Sequence, residues 1–153
     1  MTLIQAILAV ARFEAKILWR SWFFRIFALL FMLLIGAFDF FMFSYERSAR
    51  WAMYGMPGGL PYANLLFLNV LQAVVAIFLA SDFLKFDRKL DTTDVIYMRS
   101  MTNASYVIGK VLGVLTVFGA LNAVVLAEAA VFNLFFADMP FLWQAYLVYP
   151  LII

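Results

Sequence analysis

The chain has no cysteine and no histidine. The first absence rules out a disulfide framework and thiolate metal sites. The second removes imidazole ligation of haem or zinc and the commonest proton shuttle near neutral pH. No GxxxxGK[ST] phosphate loop is present, so a P-loop nucleotide site is not expected in the chain. Charge is scarce as well, at 13% of residues against roughly 25% in soluble domains. A net charge of +2 is too small for a nucleic-acid partner to be expected. With Asp39 and Glu128 alone near the interior of apolar segments, no catalytic constellation can be assembled. Catalytic, cofactor-binding and metal-ligating residues are therefore not expected, and an enzyme is not the expected class.

What fills the space is apolar. Hydrophobic residues make up 67% of the chain, more than a soluble core of this length can hide, so the expected solvent is lipid. The expected fold is an all-α membrane protein: an interfacial amphipathic N-terminal helix, then a transmembrane helical bundle of three complete spans and the start of a fourth. Residues 1–20 read as the interfacial helix, because Gln5, Arg12, Lys16 and Arg20 share one face opposite Ile4, Ile7, Leu8, Ala11, Ala15 and Leu18. The charges in its second half, with no small-residue cleavage site after an apolar stretch, exclude a cleavable signal peptide.

Residues 21–43, 62–80 and 107–136 are each long enough to cross a hydrocarbon layer of about 30 Å. Arg25 lies close enough to the inner end of the first span to snorkel, and Asp39 falls near the outer end, where partial exposure makes a carboxylate tolerable. Asn64, Asn69 and Gln72 fall within one arc of the second span, which predicts that this face meets protein rather than lipid. In the third, Gly109 and Gly113 open a run of small residues continued by Thr116, Ala120, Ala123 and Ala127, a pattern that lets a neighbouring helix approach closely. Glu128 sits beside that run. A loop rich in glycine and proline separates the first two spans, and a turn at 137–140 precedes a further apolar run over 141–153. That run has no closing charge, so a longer protein is expected.

Nine of the eleven basic residues lie in two places: Arg12, Lys16, Arg20 and Arg25 towards the N-terminus, and Lys85, Arg88, Lys89, Arg99 and Lys110 between and just inside the second and third spans. The positive-inside rule puts both regions on the cytoplasmic side. The second region, residues 81–110, is a polar island in an apolar chain. Asp91 suits an N-cap with Asp94 three residues on, which predicts a short helix at about 92–98, and Thr102 or Asn103 suits the cap of the third span.

In its residues this island resembles the cytoplasmic loop of ABC type-2 transporter permeases. Asp87-Arg88 matches the charged start of that loop, Thr92-Thr93-Asp94 its helix, Met101-Thr102 its turn, and Gly109-Lys110 its return into the membrane. Ser100 stands where proline is common in the family and Asn103 where arginine is common. The N-terminal helix is similar to the family's interfacial connecting helix.

The resemblance implies a single transmembrane domain over 1–153, the N-terminal portion of a six-span permease, with 81–106 as its cytoplasmic coupling loop. It implies as partners an ATP-binding ABC subunit, a second permease copy or homologue forming a dimer, and membrane lipid. ATP hydrolysis would come from the partner, and transport would run towards export across a bacterial inner membrane. The implied ATPase-coupling residues are Asp87, Arg88, Asp91, Thr92, Thr93, Asp94 and Arg99. Gly109, Lys110 and Gly113 form a hinge and helix-packing element, while Asn69, Gln72 and Glu128 are candidate pathway residues. The competing expectation is a non-enzymatic membrane scaffold that uses the Gly109/Gly113 face for helix pairing and needs no ATPase.

Overall fold

The computed structural model describes residues 3–44, 59–89, 102–136 and 141–152, and within them only Ser21, Thr102, Phe141 and Leu142 lie outside helices. The helices among these residues are α1 (Leu3–Arg20), α2 (Trp22–Ser44), α3 (Gly59–Lys89), α4 (Asn103–Phe136) and α5 (Trp143–Ile152). Three stretches, Trp22–Phe41, Gly59–Leu79 and Asn103–Phe135, are long and apolar enough to cross a membrane. Their surfaces leave Leu30, Leu33 and Leu34 of α2, Ile77 and Phe78 of α3, and Leu115 and Leu134 of α4 exposed. Apolar surface on this scale needs an apolar neighbour. Helices suit that setting because they satisfy their backbone polar groups internally.

The helix ends follow from local chemistry. Ser21 interrupts α1 and α2 for one residue, and its N–H donates back to Ile17 O at 3.0 Å and Leu18 O at 3.1 Å. Pro61 falls in the first turn of α3, where its missing N–H removes no helical bond. No glycine or proline follows it before Lys89. The helix accordingly runs nine residues past residue 80, so 81–89 are helical, where the sequence suggested that the loop begins at 81. A polar stretch without a breaker continues a helix as readily as it forms a loop. At the other end, α4 begins at Asn103 rather than 107 because Thr102 caps it. Ser105 N–H donates to Thr102 Oγ1 at 3.3 Å, and Ser105 Oγ donates to Thr102 O at 3.1 Å.

On α4 the buried positions other than Lys110 and Phe118 form one ridge: Ser105, Gly109, Gly113, Val117, Leu121, Val125, Ala129 and Asn133. Each is four residues from the last, the i±4n row along which helix ridges commonly interlock. Thr116, Ala120, Ala123 and Ala127 are exposed, so the small-residue run leaves the packed face after Gly113. The Thr116 hydroxyl donates within its own helix, to Leu112 O at 2.7 Å. Small side chains permit close approach, but the larger apolar residues on the neighbouring row bury more area and decide which face packs.

Two compact units divide the chain, one of Met1–Phe24 with Leu71–Gly119, the other of Arg25–Val70 with Ala120–Ile153. In the first, Ala11, Leu18, Phe24, Val75, Val117 and Phe118 are buried. Phe24 stacks on Phe118 with ring centroids 6.4 Å apart. In the second, Phe31, Ile35, Leu65, Leu68, Leu121, Val125 and Ala129 are buried. There Phe38 meets Phe67 edge-on at 5.9 Å, and Tyr62 meets Tyr149 edge-on at 5.5 Å.

Candidate functional site

The first unit brings α1 against the N-terminal half of α4. Gly109 lies so close to α1 that a Cβ there would come within 2.7 Å of Val10 Cβ and 2.9 Å of Ile7 O. One turn on, a Cβ at Gly113 would come within 2.7 Å of Ala11 O and 2.8 Å of Glu14 Cβ. Both glycines are therefore required by a backbone approach, the use that small residues serve between helices in lipid. The face of α1 that fills this groove runs through Ile7, Val10, Ala11 and Glu14.

Lys110 is fixed in the same contact. Its Nζ is 3.1 Å from Glu14 Oε1, with both side chains largely buried, and it lies 5.0 Å from the centre of the Tyr106 ring. Two opposite charges taken out of water together are each other's main compensation, and loss of one leaves the other unpaired in a dry place. Gly109, Lys110 and Gly113 thus meet α1 as a group: two residues that admit its backbone and one that holds it by charge. Arg12, Lys16 and Arg20 remain exposed on α1, as do Ile4 and Leu8 of the face that the sequence assigned to the apolar side.

Of the residues expected from the sequence to couple to an ATPase, Asp87 and Arg88 fall in the last turn of α3. Asp91, Thr92, Thr93, Asp94 and Arg99, with the short helix expected near 92–98, lie outside the described residues.

The candidate pathway residues take different places. Gln72 belongs to the first unit and is buried, its Nε2 donating to Phe118 O at 3.3 Å. Asn69 belongs to the second unit and accepts from Asn122 Nδ2 at 3.1 Å. Both amides therefore tie α3 to α4. Glu128 is different. Its Oε1 sits over Gly36, where a Cβ would approach it to 2.7 Å, and its Oε2 is buried with no hydrogen-bond partner among the described residues.

Around Glu128 the second unit holds more polar groups than the sequence pointed to. Asp39, read as partly exposed near the outer end of its span, is fully buried, and its Oδ2 accepts from Asn64 Nδ2 at 2.8 Å. Further along, Asn133 Nδ2 donates to Tyr146 Oη at 3.1 Å, and Tyr146 Oη donates to Ala129 O at 3.3 Å. Asp39 Oδ1, Asn64 Oδ1, Asn122 Oδ1, Glu128 Oε2 and Asn133 Oδ1 are buried without a partner among the described residues. An unmet polar atom of this kind costs about 1–3 kcal/mol. No group of three or more His, Cys, Asp or Glu side chains suited to a metal ion occurs among the described residues.

Individual members of two of these pairings had a signal in the sequence, though the pairings themselves did not. Glu14 falls on the apolar side of the N-terminal helix wheel, where a lone carboxylate needs a cation, and Lys110 was the nearest basic residue to the Gly109/Gly113 groove. Asn64 was on the protein-facing arc, but nothing in one-dimensional spacing says that its partner is Asp39 of the preceding helix. No protein family, curated protein or solved structure matches the chain.

Proposed function

We propose that the chain is the membrane-spanning permease part of an ATP-driven ABC transporter, an exporter in which a separate ATPase drives the movement. The observation that carries this reading is the seating of α1 on α4 through Gly109, Lys110 and Gly113. In a permease of this type the cytoplasmic helix and the membrane-entry helix must move together, so that a push delivered between the second and third spans reaches the bilayer. A groove admitting backbone and a buried ion pair supply that stiffness between α1 and α4. The exposed Arg12, Lys16 and Arg20 of α1 suit the anionic cytoplasmic face of a bacterial inner membrane, where each basic residue near the surface is worth about 1 kcal/mol. On this reading the N-terminus and the 81–106 segment lie in the cytoplasm, with α1 in the interface.

On this reading Asp87, Arg88, Asp91, Thr92, Thr93, Asp94 and Arg99 dock on the ATP-binding subunit, and a second permease copy or homologue completes the transporter. The scaffold alternative needs the Gly109/Gly113 face for pairing with another protein. That face is filled by α1 of the same chain, which favours the permease. The test is co-purification of the intact protein with an ATP-binding subunit from its native membrane. Charge reversal by Asp94→Arg or Arg99→Glu is expected to weaken the pair at least tenfold. A protein that purifies without any ATPase, and is indifferent to both substitutions, overturns the reading.

A further inference from the structure

The unmet buried atoms of the second unit have a common chemistry. Asp39 Oδ1, Asn64 Oδ1, Asn122 Oδ1, Glu128 Oε2 and Asn133 Oδ1 are all oxygens, and no nitrogen is left in the same state among the described residues. The region is short of donors or of positive charge, not of acceptors. Three of the five belong to residues at neighbouring positions of the second unit. Asp39 and Asn64 are bonded to each other across α2 and α3. Glu128 rests on Gly36, one helical turn before Asp39 on the same side of α2, a separation of about 5–6 Å between neighbouring positions. Asp39 and Asn64 are 0% and 1% exposed, so bulk water does not complete their bonding. Asn122 and Asn133 lie along α4 on either side of Glu128, roughly 9 Å and 7.5 Å away at 1.5 Å rise per residue, too far to join the same first set.

We infer that Asp39, Glu128 and Asn64 form an intramembrane binding site for a hard inorganic cation of the sodium or calcium type. Such ions take carboxylate and amide oxygens without needing histidine or cysteine, and they retain water where protein ligands run out. The fully buried Asp39 carboxylate and the partly buried Glu128 carboxylate, which lies against Gly36 one turn away on α2, repel unless a positive charge lies between them. The three unmet oxygens are the atoms such a charge would use: Asp39 Oδ1, Glu128 Oε2 and Asn64 Oδ1. The Asn64 amide fits the arrangement, since its NH₂ holds the Asp39 Oδ2 while its oxygen remains for the ion. Gly36 has a role too, because any side chain there would press on the Glu128 carboxylate. A proton shared between the two carboxyls is the rival neutralising charge, but it leaves the Asn64 oxygen unmet. The inference goes beyond the transporter reading and does not depend on an ATPase partner.

The experiment measures saturable binding of ²²Na⁺ and ⁴⁵Ca²⁺ to the intact protein in detergent, with choline chloride holding ionic strength constant. Thermal unfolding is followed in parallel. One bound cation per chain is expected, with a melting temperature about 5 °C higher at saturation than in choline. Asp39→Asn and Glu128→Gln, which keep shape and remove charge, are expected to lower affinity more than a hundredfold. Gly36→Ala, which keeps both carboxylates and displaces Glu128, is expected to lower it about tenfold. Absence of saturable binding by wild-type protein overturns the inference, and this holds even if the variants fail to fold. So does binding that survives both charge removals. A melting temperature that follows pH and ignores both cations assigns the charge to a proton and overturns it equally.

Discussion

Gly113 and Gly119 lie on the same helix, and replacing each by alanine is expected to change stability in opposite directions. Helix propensity alone makes both substitutions favourable, by about 0.5–1 kcal/mol each. Space separates them. At Gly119 nothing lies within 4 Å of an added Cβ, so the propensity gain is undiminished. At Gly113 the Cβ would lie 2.7 Å from Ala11 O and 3.2 Å from Ala15 N, backbone atoms of α1 that cannot rotate away. Restoring an ordinary contact of about 3.5 Å requires α1 to retreat by about 0.8 Å. Overpacking of this kind costs about 1–3 kcal/mol. The retreat also stretches the 3.1 Å pair between Lys110 and Glu14, which lies within the same contact. Gly113→Ala is then expected to destabilise by a net 1–2 kcal/mol, lowering the melting temperature by about 2–8 °C, while Gly119→Ala raises it by up to about 4 °C. Thermal unfolding in one detergent reads both, and trypsin cleavage at the exposed Arg12, Lys16 and Arg20 of α1 should accelerate in Gly113→Ala alone. If Gly113→Ala proves as stable as wild type, or if the two substitutions shift stability in the same direction, the close seating of α1 on α4 is wrong.

Two further outcomes follow from the same unit. Lys110→Met leaves Glu14 unpaired in a largely buried position and is expected to cost about 3–5 kcal/mol, whereas Lys110→Met combined with Glu14→Leu should recover most of that loss. Equal melting temperatures for the single and double variants would mean that the ion pair is not the reason. Thr102→Val removes the side-chain acceptor at the start of α4 and should cost about 1 kcal/mol, with faster amide exchange confined to the first turn of the helix. Thr102→Ser retains the hydroxyl and should restore protection, and a Thr102→Ser variant no better than valine would argue against a capping role.

Composition and periodicity by themselves determined that the chain is helical and that three of its helices are long and apolar enough to cross a membrane. These are properties of runs of residues and of lipid as a solvent, so no knowledge of neighbours was required. Gly109 and Gly113 were also visible as a place of close approach, since only small residues permit one. Which helix would approach was not visible, because a stripe of small residues is silent about its partner. α1 took the groove, and the Thr116, Ala120, Ala123 and Ala127 continuation turned outward because the ridge through Val117, Leu121 and Val125 buried more apolar area. The extension of α3 to Lys89 was hidden for another reason: charge marked the end of the apolar run, but only a breaker or a cap marks the end of a helix. Tertiary structure alone decided the polar pairings. Asp39 with Asn64, Glu14 with Lys110, and Glu128 over Gly36 each join residues from different helices, and spacing along one chain carries no information about which helices lie side by side. The meaning of Asp39 changed most on this account, from a carboxylate at a wet helix end to a buried group with one oxygen bonded and the other unmet.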